Sequence, residues 1–170
     1  MKKILRNIFL LALLLFCLTI TANAAELITR EAKSYNLGSP TRVDTSSISM
    51  AKGKAVGFEI NFEHSPSEIY VSIGNDATHA GDIEIHLDSS GGDIIGVVPA
   101  IKHSGWKSAS YTIPVMMDIS GPHSVWFVYR GIQCDFKTIG FLVPDPSEMY
   151  EKFSEEDVFT NIADNKRNNI

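Results

Sequence analysis

Gly81-Asp82-Ile83-Glu84-Ile85-His86-Leu87-Asp88, followed by Ser89-Ser90-Gly91-Gly92-Asp93 and then Ile94-Ile95-Gly96-Val97-Val98, is the stretch that decides the fold. Ile83, Ile85 and Leu87 alternate with Glu84, His86 and Asp88. Side chains two apart on a strand share a face, so the first segment reads as a half-buried strand. The Ser/Gly/Asp cluster is turn chemistry, and the apolar run after it has the length of a buried strand. Gly91-Gly92 lies between two strands, so it punctuates a hairpin and does not open a helix to cradle phosphate.

Working outward, the same period of two marks Phe58 to Phe62, and Glu68 to Ile73 with Ile69, Val71 and Ile73 on one face. Tyr111 to Ile113, Val125 to Tyr129 and Thr138 to Val143 add further strands. Turns fall at His64-Ser65-Pro66-Ser67 and Ser120-Gly121-Pro122. Seven or eight strands without a helical pattern between them predict an all-β domain, an antiparallel β-sandwich of jelly-roll type. The polar, Ser- and Thr-rich stretch from Tyr35 to Ala51 reads either as a long loop or as a frayed pair of short strands.

The ends differ from this middle. Lys2, Lys3 and Arg6 precede an apolar run from Ile8 to Ile20, and Ala22-Asn23-Ala24 supplies the small residues of a cleavage site. Residues 1–24 thus read as a signal peptide: the apolar run of about 13 residues is short of the roughly 20 that span a bilayer. The expectation is a secreted or periplasmic chain with no membrane span after cleavage. Bulky Phe16 before Cys17 argues against lipidation. The sandwich is expected over 25–144. Residues 145–170 read as an acidic extension, a short helix capped by Ser147 and then a disordered tail.

The whole chain carries a net charge of −5, and losing the three leader cations takes it to about −8. That excludes nucleic acid as a natural partner, because phosphates require a basic surface. Cys134 is the one cysteine left, so no internal disulfide forms. A lone thiol in a strand reads as buried and inert.

No catalytic constellation stands out. The sequence has no His-Glu-x-x-His helix, no Gly-x-Ser-x-Gly elbow and no phosphate loop. His86 and Asp88 share a strand face, but a metal site needs three or four ligands, and a solvated face explains the pair better. Binding without chemistry is the expectation.

From Gly53 onward the chain resembles a family 6 carbohydrate-binding module. Gly53-Lys54-Ala55-Val56-Gly57-Phe58 with Ile60-Asn61-Phe62, then Gly81 to Asp88, then Gly91 to Gly96 follow that family's order of strands. Ser104-Gly105-Trp106 stands where the family has a loop tryptophan, and Gly121-Pro122-His123 with Val125 to Tyr129 matches a later strand. Glu31-Ala32-Lys33-Ser34-Tyr35 resembles the opening motif. The likeness covers residues 27 to 143.

The resemblance implies a β-sandwich that grips a sugar ring between aromatics, with a polar side chain nearby. Carried over, it makes Trp106 the platform, with packing at the sandwich end as the alternative. Trp126 reads as core. Asp135 falls on the family's sugar-contacting Asn, or is a solvated turn residue. No aromatic stands before Gly53, where Asp44-Thr45-Ser46-Ser47-Ile48-Ser49-Met50 runs, and Tyr35 is the substitute candidate. The family's structural calcium should be lost, because Lys33 and Lys137 replace two of its acids. The resulting expectation is a lectin-like glycan binder, with a separate exported protein as a further partner. The alternative is a sandwich drifted into protein interaction.

Overall fold

The alternating stretches form strands, and they pair into two antiparallel sheets. The computed structural model describes residues 25–100 and 103–145, of which Ala25–Pro144 make one compact unit. The expected signal peptide, and the expected terminal helix and tail past Asp145, lie outside the described residues.

Eleven strands are present among them: β1 (Glu26–Glu31), β2 (Leu37–Ser39), β3 (Arg42–Val43), β4 (Ile48–Ala51), β5 (Ala55–Phe62), β6 (Glu68–Asn75), β7 (Ile83–Leu87), β8 (Ile94–Val98), β9 (Lys107–Pro114), β10 (Gly121–Tyr129) and β11 (Gln133–Val143). The first sheet runs β3-β4-β11-β6-β9, with β1 also paired to β11, and the second runs β2-β5-β10-β7-β8. The ambiguous stretch 35–51 resolves into three short strands, each held by a longer neighbour.

One strand organises the first sheet. β11 is long enough to share one edge between β4, along Gln133–Phe136, and β1, along Thr138–Val143, while β6 takes the other edge. Its buried residues are Cys134 and Phe136, then Ile139, Phe141 and Val143, so the phase slips by one between 136 and 139. A β-bulge at Lys137 absorbs the slip and keeps both runs facing the core.

The core closes between the sheets on aromatic contacts. Phe62 of β5 meets Phe141 of β11 edge-on at 5.2 Å, and Phe127 of β10 meets Phe136 at 5.2 Å. Burying each such side chain stabilises the fold by about 1.5–3 kcal/mol. Between them they fix how the two sheets face one another, and so where their outer faces lie.

Candidate functional site

Residues facing away from the core line up across the first sheet. Arg42 of β3 pairs with Ser49 of β4, Ser49 with Asp135 of β11, Asp135 with Gly74 of β6, and Gly74 with Ser108 of β9. Their neighbours Ile48, Met50, Cys134, Phe136 and Ile73 are buried in the core, so alternation turns this row outward. The row is polar and hydrogen-bonded. Ser49 donates to Asp135 Oδ1 at 2.8 Å, and Lys137 Nζ donates to Ser108 Oγ at 2.7 Å. At the far end Arg42 forks onto Asp44 through Nε and an NH2 at 3.0 and 2.8 Å.

Trp106 lies on this row. The turn through Gly105, whose φ is +83°, brings the chain into β9 with the indole Nε1 against Gly74. A Cβ built on Gly74 would stand 3.2 Å from Trp106 Nε1 and 3.7 Å from Asp135 Cβ, so a glycine is what admits the ring there. The ring is 42% exposed. Trp106 and Asp135, 29 residues apart in sequence, thus meet on opposite sides of one glycine. Asp135 Oδ2 takes no hydrogen bond among the described residues.

A third side chain belongs to the patch and is not visible from spacing. The His79 ring stands edge-on to Trp106, centroids 5.7 Å apart and planes at 66°. Asp76 holds it: one carboxylate oxygen accepts from His79 Nδ1 at 2.7 Å, from the Thr78 hydroxyl at 2.7 Å, and from the backbone N–H groups of Thr78 and His79 at 3.0 Å each. These bonds, with His79 first, bring the Asp76 carboxyl down to a pKa of about 2. The backbone is tied as well, because the buried Tyr129 hydroxyl donates to the His79 carbonyl at 2.6 Å, and burial pushes that phenol up. The sequence signal was Asp76-Ala77-Thr78-His79, an acid followed by donors two and three residues on.

The other candidates lie elsewhere. Tyr35 ends a 3-10 turn over Ala32–Ser34, half-buried and packed against the core. Trp126 corrects the expectation of a core residue. Val125, Phe127 and Tyr129 point inward and belong to the core, whereas Trp126 alternates out onto the broad face of the second sheet. Its indole covers Gly57 and Gly38, and Nε1 donates to Ser124 Oγ at 3.1 Å. On that sheet lies a groove of about 460 Å³ edged by Glu59, Asn61, Asp88, His123 and Ser124.

Remaining groups are structural. Cys134 is fully buried, and burial pushes its thiol up, away from the reactive thiolate. His86 and Asp88 do not share a site: His86 sits between the Gly92 carbonyl and Glu84, while Asp88 faces His123. At the place where the resemblance implies calcium, Lys33 Nζ lies 3.0 Å from Glu31 Oε2 and donates to the Thr45 carbonyl at 3.1 Å. An ammonium against the one carboxylate does not fit a divalent ion, which wants several oxygens. Lys137 turns instead to Ser108.

No family model matches the sequence, and no curated protein matches it. Solved structures do match. A family 6 carbohydrate-binding module from Clostridium cellulolyticum, solved in complex with xylose, superposes with a TM-score of 0.59 at 24% identity, covering 66% of this chain and 95% of that one. The fold is that of family 6 carbohydrate-binding modules. A β-1,3-glucan-binding module of the same family from Bacillus halodurans gives 0.52 at 23% identity, over 66% and 93% of the two chains. A CBM36 carbohydrate-binding module in complex with calcium and xylotriose gives 0.54 at 13% identity, over 66% and 98%.

Proposed function

We propose that this chain is an exported, non-catalytic carbohydrate-binding domain that receives a sugar ring on the indole of Trp106. One observation carries the reading: an exposed Trp106 whose indole Nε1 lies against Gly74, with Asp135 on the other side of that glycine. A pyranose has an apolar face of C–H groups that packs on a flat ring, and its hydroxyls need partners once they leave water. Asp135 accepts from such a hydroxyl through its second oxygen, and a hydrogen bond to a charged group contributes about 1.5–3 kcal/mol. The structural neighbours, solved with xylose and xylotriose or named for β-1,3-glucan, support the same class of ligand. The leader-like residues 1–24 support export.

This platform has one face. Ser49 occupies the row where a second aromatic would be needed to clamp the ring, and it is committed to Asp135. Affinity then rests on one indole, and covering roughly 80 Å² of it is worth about 2 kcal/mol, a factor of about 30. Tyr35 contributes only if it leaves its half-buried place against the core.

A glycan array with the wild type and Trp106→Ala side by side tests the reading. The expected outcome is capture of β-linked glycans by the wild type, weakened about 30-fold by the substitution. Equal capture by both moves the site to the broad face around Trp126. Silence of the wild type across the array favours a protein-interaction role, with a separate exported protein as the partner. Release of reducing sugar would overturn the non-catalytic reading.

A further inference from the structure

We infer that His79 is a second ligand-contacting residue of the Trp106 site and sets which sugars fit it. The inference rests on the carbohydrate-binding reading above. At 66° between planes and 5.7 Å between centroids, the two rings make a corner and not a stack. Trp106 remains 42% exposed, so indole surface is left open to a sugar beside the imidazole.

The hydrogen-bonding state of that imidazole is fixed from behind. An ionised carboxylate cannot donate, so the 2.7 Å bond from His79 to Asp76 requires the proton on Nδ1. Nε2 is then the ring atom left for a ligand. It has no partner among the described residues, and the side chain is 36% exposed. Its backbone carbonyl is tied three times, by the Tyr129 hydroxyl at 2.6 Å, the Ile132 N–H at 3.0 Å and the Gln133 N–H at 3.4 Å. A ring held by Asp76 and by its own backbone loses little freedom when a ligand arrives, which favours affinity.

Two consequences follow for the ligand. A sugar lying on Trp106 meets Asp135 across Gly74 and His79 at the indole edge, so it has to offer hydroxyls in both directions. An exocyclic hydroxymethyl group on the His79 side meets the ring, whereas a pentose unit has none to place there. His79 therefore weighs the site toward pentose over hexose units.

Calorimetric titrations with xylotriose, cellotetraose and soluble β-1,3-glucan decide the matter on wild type, His79→Phe, His79→Ala and Trp106→Ala. His79→Phe keeps a ring and loses Nε2, and should weaken binding five- to tenfold with the xylotriose-to-cellotetraose ratio unchanged. His79→Ala opens the corner and should also move that ratio at least threefold toward cellotetraose. A merely structural role would lower the melting temperature of both His79 variants and leave the ligand ratio of His79→Ala unchanged. Should His79→Ala loosen the loop and lower the melting temperature, His79→Phe carries the test, by weaker binding at an unchanged melting temperature. If both His79 variants bind like the wild type while Trp106→Ala does not, the role of His79 is overturned and the sugar site stands. A wild type silent toward all three probes, or a Trp106→Ala protein that binds unchanged, overturns both.

Discussion

Trp106 and Trp126 each come against a strand glycine, Gly74 in one sheet and Gly57 in the other, yet they occupy opposite situations. Trp126 is part of its strand, covers Gly38 as well as Gly57, and has its N–H satisfied by Ser124. Trp106 arrives from a loop, is 42% exposed, and has no hydrogen-bond partner for Nε1 among the described residues. A glycine beneath an indole therefore does not by itself mark a binding platform. What separates the two is what happens above the ring. Trp126 completes a sheet face, whereas Trp106 stays exposed, with Asp135 and His79 near it.

If that distinction holds, the two rings exchange roles under substitution. Trp126→Ala uncovers two glycines and leaves a void, and should cost about 2–3 kcal/mol of stability, below the 3–5 kcal/mol of a fully buried ring. Its glycan binding should stay within twofold of wild type. Trp106→Ala should do the reverse, staying within about 0.5 kcal/mol in denaturant unfolding, as surface changes usually do. Equal stability losses in the two would erase the comparison.

The glycines sharpen it further. Gly74→Val pushes on Nε1 from a Cβ placed at 3.2 Å, and the loop that carries Trp106 can yield. The indole should tilt off the row, its emission should shift to the red, and binding should fall about tenfold, or about 1.4 kcal/mol. At Gly57 a Cβ meets Trp126 Cδ2 at 2.9 Å, on a strand that cannot yield, so the same substitution there should lower the melting temperature and spare binding. A Gly74→Val protein that binds normally would mean the indole does not rest on β6 in solution.

The sandwich was legible because alternation is a local signal: Phe58 to Phe62 and Ile83 to Leu87 carry it without help from partners. The strands at 37–39, 42–43 and 48–51 were not, since pieces of two to four residues exist only because β5, β4 and β11 respectively offer them an edge. The slip at Lys137 is likewise a property of the sheet. Trp126 was misjudged although the information was present. Val125, Phe127 and Tyr129 fix the inward phase and leave Trp126 outside it; the size of the side chain prevailed over its position. Trp106 and Asp135 came into view only through a resemblance, and nothing in the chain joins either to His79. That meeting depends on β6 and β9 being neighbours, which the Asp76 turn then completes.

Asp76 allows the smallest of these effects to be measured. Its carboxyl is held at about 2 by bonds from His79 and Thr78, below the ordinary value of 3.8. A depressed carboxyl contributes stability that is fully present above the unfolded value and disappears as pH falls through the folded one. The loop beside Trp106 should therefore stay intact at pH 3 and loosen only near pH 2. The amide protons of Thr78 and His79 point at the same oxygen and report its charge directly. Followed by NMR below pH 5, their shifts should titrate with a midpoint near 2, and the Trp106 indole proton should move with them. A midpoint near 3.8 would mean that the Asp76 clamp is absent in solution, and that the open ring owes its place to Gly74 alone.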